Sequence, residues 1–420
     1  MRARNPRFAL ATVIVEGFLG RLAFGMVSFA LPLYAYQLGI SFAEIGLLVS
    51  LRTVVSLLLK PLAGAAADRW SVRSVYLAGT LGRVLAVGGL LLADGYLALI
   101  GVRLLQGVSA AGRDVGSLSV IARDAGSRVG SAYSWYSTAK HIGGVGGAAL
   151  AGIILAAAGG SFDTLFLVVL GLAVLPLFVA WVGLQEDRDP APAVTASAPS
   201  DGGQPDQMRM AGALALVREL AAPGSVAMLV STSAYMVHGI FPILATEYAG
   251  LTEAETGVIY SLSAGVFLVA GPTFGWLVDR YGGKVGVGSR AVANIGSSIV
   301  YLASPTFAGL AVARAVDDAG KAAFRPAWAS VIADIAAADP PRRGRRLAAL
   351  DTAQTSGEVV GPLLAGLLWQ TGGVGLLFGV RIAIAVVAEL GALRVFGLRV
   401  GTTTSVDRDP AEASGVAGTD

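Results

Sequence analysis

The sequence predicts an all-α membrane protein: twelve transmembrane helices arranged as two six-helix bundles related by a parallel repeat. Three observations carry this. Hydrophobic residues make up 55% of the 420 and charged residues 14%, whereas a soluble domain carries roughly a quarter charged residues. Apolar stretches of about 20 residues, the length a helix needs to cross a bilayer, recur along almost the whole chain. The second half of the chain also repeats motifs of the first at nearly constant spacing. Backbone groups in hydrocarbon must be satisfied within their own segment, so such stretches read as helices. The weak alternation of a lipid-embedded barrel is absent.

Taken in order, the helices are expected at 8–36, 43–66, 74–93, 96–122, 131–158, 162–184, 223–248, 254–278, 286–304, 306–334, 346–370 and 373–398. The first follows Arg2, Arg4 and Arg7 as a signal peptide would. It is too long for one, lacks an obvious cleavage site and leads into a second span, so it reads as a retained helix. The organisation that follows is an N-terminal bundle at 1–185, a cytoplasmic linker at 186–222, a C-terminal bundle at 223–400 and a disordered tail at 401–420. The linker includes DRDPAPAVTASAPSDGGQPDQ, a flexible composition. Met208 to Ala221 is expected as a short amphipathic helix on the membrane surface.

Loop charge sets the orientation. Arg69, Arg73, Arg123, Arg128, Arg188, Arg209, Arg218, Arg280, Lys284 and the run from Arg342 to Arg346 fall, with the termini, in one set of loops. The alternate set holds Glu44, Asp94, Asp163, Glu247, Glu253 and Glu255 and no Lys or Arg. The positive-inside rule makes the basic set, and both termini, cytoplasmic. That requires an even number of spans. The net charge of +3 is therefore a topology signal, and no nucleic-acid partner is expected. With no cysteine and two histidines, thiol chemistry is excluded and a metal site is not expected. No cofactor is expected either.

The repeat is specific. Pro61, Gly64, Asp68 and Arg69 pair with Pro272, Gly275, Asp279 and Arg280 at an offset of 211, as Arg103 does with Arg314. After a longer loop the offset becomes 214, pairing Gly143, Gly147 and Leu150-Ala151-Gly152 with Gly357, Gly361 and Leu364-Ala365-Gly366. Six spans per repeat give both copies the same orientation, about an axis along the membrane normal.

These residues resemble the major facilitator superfamily over nearly the full length. The signature loop Gly-x-x-x-Asp-Arg plus a basic residue stands as Gly64, Asp68, Arg69, Arg73 and again as Gly275, Asp279, Arg280, Lys284. Arg103, Gln106 and Gly107 are similar to a second family motif on helix four. Gly143 to Gly147 is similar to the antiporter motif, but its usual Gly-Pro appears instead at Gly361-Pro362. The resemblance implies a secondary transporter working by alternating access, closest in motif style to drug and metabolite efflux members. In such proteins the signature loops latch one state. Gly64 and Gly275 would let helices approach closely, and Asp68 could face a helix N-terminus of the other half. A topology clamp without a gating role is the competing reading.

Charges inside the membrane mark the site. One at mid-bilayer costs about 3 kcal/mol, so it faces protein or water. Arg314, Asp317, Asp318, Lys321 and Arg325 fall within about 60° of one line on helix ten. They either hold helices in register through pairs one turn apart or line a cavity. Arg103, Gln106, Arg113 and Asp114 form the counterpart on helix four, and Lys140 and His141 lie on helix five. Glu16, Arg21, Arg52, Arg83, Arg381 and the mid-helix His238 stand as lone polar residues in their spans. Glu358 and Lys140 are the favoured cavity residues, since neither has an opposite charge one turn away. Glu358 and Glu16 are the candidate proton sites, because a desolvated carboxylate can load and release a proton as a cavity opens and closes. Unpaired Arg21, Arg52, Arg83 and Lys140 point to an anionic or zwitterionic substrate. The expectation is a monomer in the cytoplasmic membrane, with a small molecule, protons and the lipid bilayer as partners, efflux being favoured over uptake of an organic anion. A non-transporting sensor on the same scaffold, or a polytopic enzyme with a clustered nucleophile or phosphate loop, would show features that this sequence lacks.

Overall fold

A computed structural model of the chain describes residues 6–184, 206–281, 283–339 and 342–400. Among these there are twelve long helices and no strand. They are α1 (Pro6–Gln37), α2 (Phe42–Arg69), α3 (Val72–Leu90), α4 (Tyr96–Asp124), α5 (Val129–Ala157), α6 (Phe162–Gly183), α7 (Asp206–His238), α8 (Glu253–Tyr281), α9 (Gly283–Ala303) and α10 (Phe307–Ala337). The last helical stretch, Arg343–Val400, divides into α11 (343–372) and α12 (374–400) at Gly373, whose φ of 70° is the left-handed region that glycine enters without steric cost. The segments at 186–205 and 401–420, expected as linker and tail, lie outside the described residues.

Local chemistry starts the helices where the chain re-enters the bilayer. Ser41 caps α2 in a reciprocal box: the Glu44 carboxylate accepts from Ser41 N at 3.0 Å and from its hydroxyl at 2.6 Å, while Ser41 Oγ accepts from Glu44 N. Thr252 and Glu255 repeat this ahead of α8, at 2.9 and 2.8 Å. The two boxes stand 211 residues apart, like the motifs of the repeat. Each satisfies N–H groups that a helix N-terminus leaves without partners.

Two expected boundaries are corrected. The segment from Met208 to Ala221 is not a separate surface helix but the first turns of α7, continuous through Pro223. Helix seven does not run to 248. It ends at His238, followed by a single turn at Phe241–Ile243 and a π-helical turn at Leu244–Tyr248. Pro242 has no N–H to donate to the His238 carbonyl, so the α-helical ladder stops there.

The loops divide the molecule into a basic end, which carries Arg69, Arg73, Arg123 and Arg128, and an acidic end, which carries Glu44, Asp94, Asp163 and Glu255. At the acidic end one apolar core joins both halves, from Met26, Phe29 and Leu48 through Phe166 to Phe241, Tyr260 and Phe378. At the basic end each half keeps its own core, around Tyr76 and Tyr136 in the first and Trp328 and Ile335 in the second. The joining contacts are two glycine crossings related by the pseudo-twofold. Gly46 of α2 lies on the Pro362 backbone while Gly366 of α11 lies on Phe42 O, and Gly152 of α5 meets Glu253 O and Gly257 of α8. A Cβ at Gly46, Gly152 or Gly366 would collide with those backbones. A Cβ at Gly64 or Gly275, near the other ends of α2 and α8, would meet nothing within 4 Å. The close approach expected at Gly64 and Gly275 is therefore not made: in this conformation the halves touch at the acidic end and part at the basic end.

Seven helical segments among the described residues are long and apolar enough to cross a membrane, the last being the joined α11–α12 pair. The helices outside that set are α3, α4, α9 and α10, the third and fourth of each half. They carry most of the buried charge.

Candidate functional site

In the first half the buried charge centres on Glu16 of α1, which has no exposed surface. Arg83 of α3 donates to its Oε1 at 2.7 Å and Arg113 of α4 at 3.2 Å, and the Tyr76 hydroxyl donates to Oε2. Gly20 makes this possible, since a side chain there would occupy the space of the Arg83 guanidinium. Arg83, expected to be unpaired, is thus corrected to an ion-pair partner of Glu16. Arg103 ties α4 to α2 through neutral groups: Nε donates to Leu48 O at 2.7 Å, Nη2 to Val49 O at 3.1 Å and Nη1 to Gln106 Oε1 at 2.8 Å.

The second half holds a larger cluster. Asp317, also without exposed surface, accepts from Arg290 at 2.9 Å and from Arg381 at 2.7 Å, and the Lys321 ammonium lies 2.8 Å from it. Asp318 takes Arg314 at 3.0 Å and Lys321 at 2.8 Å. Arg381, expected as a lone charge, also donates to Ser233 O and to Ser298 Oγ, at 2.9 and 2.7 Å. Arg314 reaches Ser263 on α8 and lies 3.4 Å from His238 Nδ1, with its guanidinium over the rings of Phe241 and Tyr260. The pairing one turn apart expected on α10 is present, but it is half of the arrangement. Arg290, missed at the sequence level, belongs to it and would have been found by treating any charge inside an apolar span as significant.

A third group of charges is only partly buried. Arg21 and Arg52 lie over the ring of Phe24, 5.0 and 4.1 Å from its centroid. Lys140 stands 3.5 Å from Asp114 and over the Tyr136 ring, so its expected lack of a partner is corrected: the partner sits on α4, not on its own helix. Glu358 of α11 is partly buried, beside Tyr235 and within electrostatic reach of Arg21 and Arg52. His141 packs edge-on against Phe267 of α8 at 4.5 Å, and Arg325 lies over the same ring. His238 is solvent-exposed. Tyr235, Phe24 and Tyr76 carry no sequence signal that separates them from other aromatic residues in spans.

The signature residues behave differently from the buried clusters. Asp68, Arg69 and Arg280 are exposed, and Arg280 lies over the rings of Trp276 and Tyr281. Arg73 donates from Nη2 to Trp181 O at 3.2 Å. The side chains of Asp279 and Lys284 lie outside the described residues. No group of three or more His, Cys, Asp or Glu able to hold a metal occurs among the described residues.

The family model described as the Major Facilitator Superfamily matches residues 14–221 and 224–416. The bacillibactin exporter of Bacillus subtilis (strain 168) is 24% identical over 157 residues, which is 36% of this chain and 39% of the exporter. The chain thus spans about two fifths of the length of that relative. Among solved structures, the D323A mutant of the nucleoside transporter NupG superposes with a TM-score of 0.71 at 16% identity, covering 92% of this chain and all of that one. A bacterial homologue of the human lysosomal transporter Spinster, in an inward-facing and occupied conformation, gives 0.69 at 15% identity, covering 94% and 98%.

Proposed function

Because the chain belongs to the major facilitator superfamily, whose members here are membrane-spanning transporters of small molecules, we propose that it carries a small organic anion together with a proton, by alternating access between its two halves. The observation that carries this reading is the placement of Glu358. It is a partly buried carboxyl of the second half, beside Tyr235 and within electrostatic reach of Arg21 and Arg52 of the first. An ionised Glu358 competes with an anionic substrate for those two arginines. A protonated one releases them. Proton and anion then bind best together, which is the requirement for symport, and an inward proton gradient drives uptake. The basic end is assigned to the cytoplasm by its loop charges, so the conformation described is open inward. The exposed signature loops are assigned as the latch of the opposite state.

Efflux is the second reading, favoured by the partial match to the bacillibactin exporter. It would follow if the substrate carried an amine that pairs with Glu358, because proton and substrate would then exclude one another. Flux into proteoliposomes under an imposed pH gradient separates the two. Symport predicts accumulation of organic anions in an alkaline lumen and its abolition in Glu358→Gln, with membrane insertion intact. Anion movement indifferent to the gradient would remove the proton from the mechanism. Gradient-driven movement of cations alone would replace uptake by efflux.

A further inference from the structure

On α3 two faces do different work. Tyr76, Gly79, Thr80 and Arg83 turn inward to the Glu16 cluster. Arg73, Leu77 and Leu81, spaced i, i+4 and i+8, form a stripe on another face. On α6, Val174, Phe178 and Trp181 form a matching stripe. Between the stripes lies a groove of about 400 Å³, lined by Leu77, Ala78, Leu81, Val174, Leu177, Phe178 and Trp181. Its walls are apolar and open to the outside: Leu81 is 46% exposed, and Phe178 and Trp181 are each 60% exposed. An apolar crevice on the lipid-facing side of a membrane protein holds hydrocarbon.

The basic end of the groove is not apolar. Arg73 sits one turn beyond Leu77, held against the groove by its bond to the carbonyl of Trp181. A guanidinium has five N–H donors. Arg73 Nε is buried without a partner and Nη2 is held on the Trp181 carbonyl, while the side chain as a whole stays partly exposed, so the cation is fixed in place and would meet a ligand at the surface through its terminal nitrogens. Trp181 stands at the same level, as tryptophan does where hydrocarbon meets headgroups. A hydrocarbon slot that ends in a fixed, under-satisfied guanidinium at the bilayer surface matches a ligand with an acyl chain below a negative phosphate.

We propose that the α3–α6 groove binds an anionic phospholipid, with an acyl chain along Leu77, Leu81 and Phe178 and the phosphate on Arg73. The site needs only that this end of α3 lies at a bilayer surface, so it stands or falls separately from substrate and proton coupling. It gives the last basic residue of the first signature loop a task within its own half, on the side away from the other bundle.

The test uses the full chain in nanodiscs of equal phosphatidylglycerol and phosphatidylcholine, with retained lipids counted by native mass spectrometry after transfer to detergent. The wild type is expected to retain phosphatidylglycerol over phosphatidylcholine by roughly fivefold, the equivalent of about 1 kcal/mol for one arginine at a membrane surface. Arg73→Gln removes the preference and Arg73→Lys keeps most of it, whereas Arg69→Gln, at an exposed position outside the groove, leaves it unchanged. Leu81→Trp fills the slot and lowers retention of both lipids. Equal retention of the two lipids by the wild type, or an undiminished preference in Arg73→Gln, would overturn the proposal. Unchanged retention in Leu81→Trp would overturn the acyl slot.

Discussion

The two halves share a scaffold and an arginine but neutralise their buried charge in different ways. Arg103 and Arg314 are equivalent at the offset of 211, and so are Gln106 and Asp317, Gly107 and Asp318, and Arg52 and Ser263. In the first half Arg103 is satisfied by backbone carbonyls and an amide. In the second, carboxylates replace the amide and the glycine, and four cations gather on them from α9, α10 and α12. The position that supplies Ser263, a hydroxyl for Arg314, supplies the cavity cation Arg52 in the first half. One bundle therefore confines its charge in an internal network. The other confines Arg103 and the Glu16–Arg83–Arg113 cluster and leaves Arg21, Arg52 and the Lys140–Asp114 pair only partly buried. A duplicated fold does not require this division, and under the function proposed above it puts rigidity on one side and substrate chemistry on the other.

The sharpest way to break that comparison is at Asp317. Asp317→Asn leaves Arg290, Arg381 and Lys321 buried around a neutral amide. Stranding charge in this way costs about 3–5 kcal/mol, and the melting temperature in detergent should fall by about 5 °C. Gln106→Leu, at the equivalent position, removes one hydrogen bond to Arg103 and should cost about 2 kcal/mol. Equal losses for the two variants would mean that the charge asymmetry between the halves is not energetic.

Glu16 comes next. Glu16→Gln can keep an oxygen for both arginines, which share Oε1, but removes the negative charge that neutralises them, with an expected loss of about 3 kcal/mol. Because Glu16 lies inside its bundle and Glu358 between bundles, Glu16→Gln should lower stability while leaving the pH dependence of flux in place, the reverse of Glu358→Gln. Melting curves and flux measured on the same preparation decide it. A stable Glu16→Gln protein with uncoupled flux would move the proton site into the first half.

How much of this was legible in the sequence follows from how far apart the partners lie. The repeat, the twelve helices and the signature loops are patterns of local spacing, and the family and the twelve-helix fold to which they pointed are those found. The Lys321 pairs with Asp317 and Asp318 are one turn apart and could be read from helical geometry. Arg290 and Arg381 reach Asp317 from 27 and 64 residues away, and Arg83 and Arg113 reach Glu16 from 67 and 97. Those choices depend on which helices pack together, so charged residues were visible as expensive while their partners were not. The boxes at Ser41–Glu44 and Thr252–Glu255 were legible in principle, since pattern and offset are both local. The parting of the halves at the basic end was not, because one sequence encodes every state of the cycle.

The glycine crossings are where the halves should respond alike. Gly366→Ala would push α11 against Phe42 O, and Gly152→Ala would push α5 against Glu253 O. Each overlap costs about 2 kcal/mol in the conformation closed at the acidic end and less in one where the crossing has separated. Both variants should shift the population toward closure at the basic end. The chain has no cysteine, so a spin-label pair at Trp70→Cys and Tyr281→Cys, on the exposed basic ends of α2 and α8, reports that distance alone. A shift in one variant but not the other would show that the two crossings do not open together.

The smallest effect tests whether the seal at the acidic end is itself asymmetric. At the α2–α11 crossing Tyr36, Phe42 and Trp369 form a stack, with ring centroids 5.4 and 4.5 Å apart, and Gln370 accepts from Phe42 N at 3.1 Å. By the offsets of 211 and 214, the places of Phe42 and Trp369 at the α5–α8 crossing are taken by Glu253 and Leu155, which cannot stack. The aromatic contact therefore holds one crossing only. Trp369→Ala should remove about 1 kcal/mol from the state closed at the acidic end, changing the ratio of the two label distances roughly fivefold while leaving the melting temperature nearly unchanged. A ratio that does not move would mean that backbone packing at Gly46, Gly366, Gly152 and Gly257 holds the acidic end, and that the stack adds no preference for one state over the other.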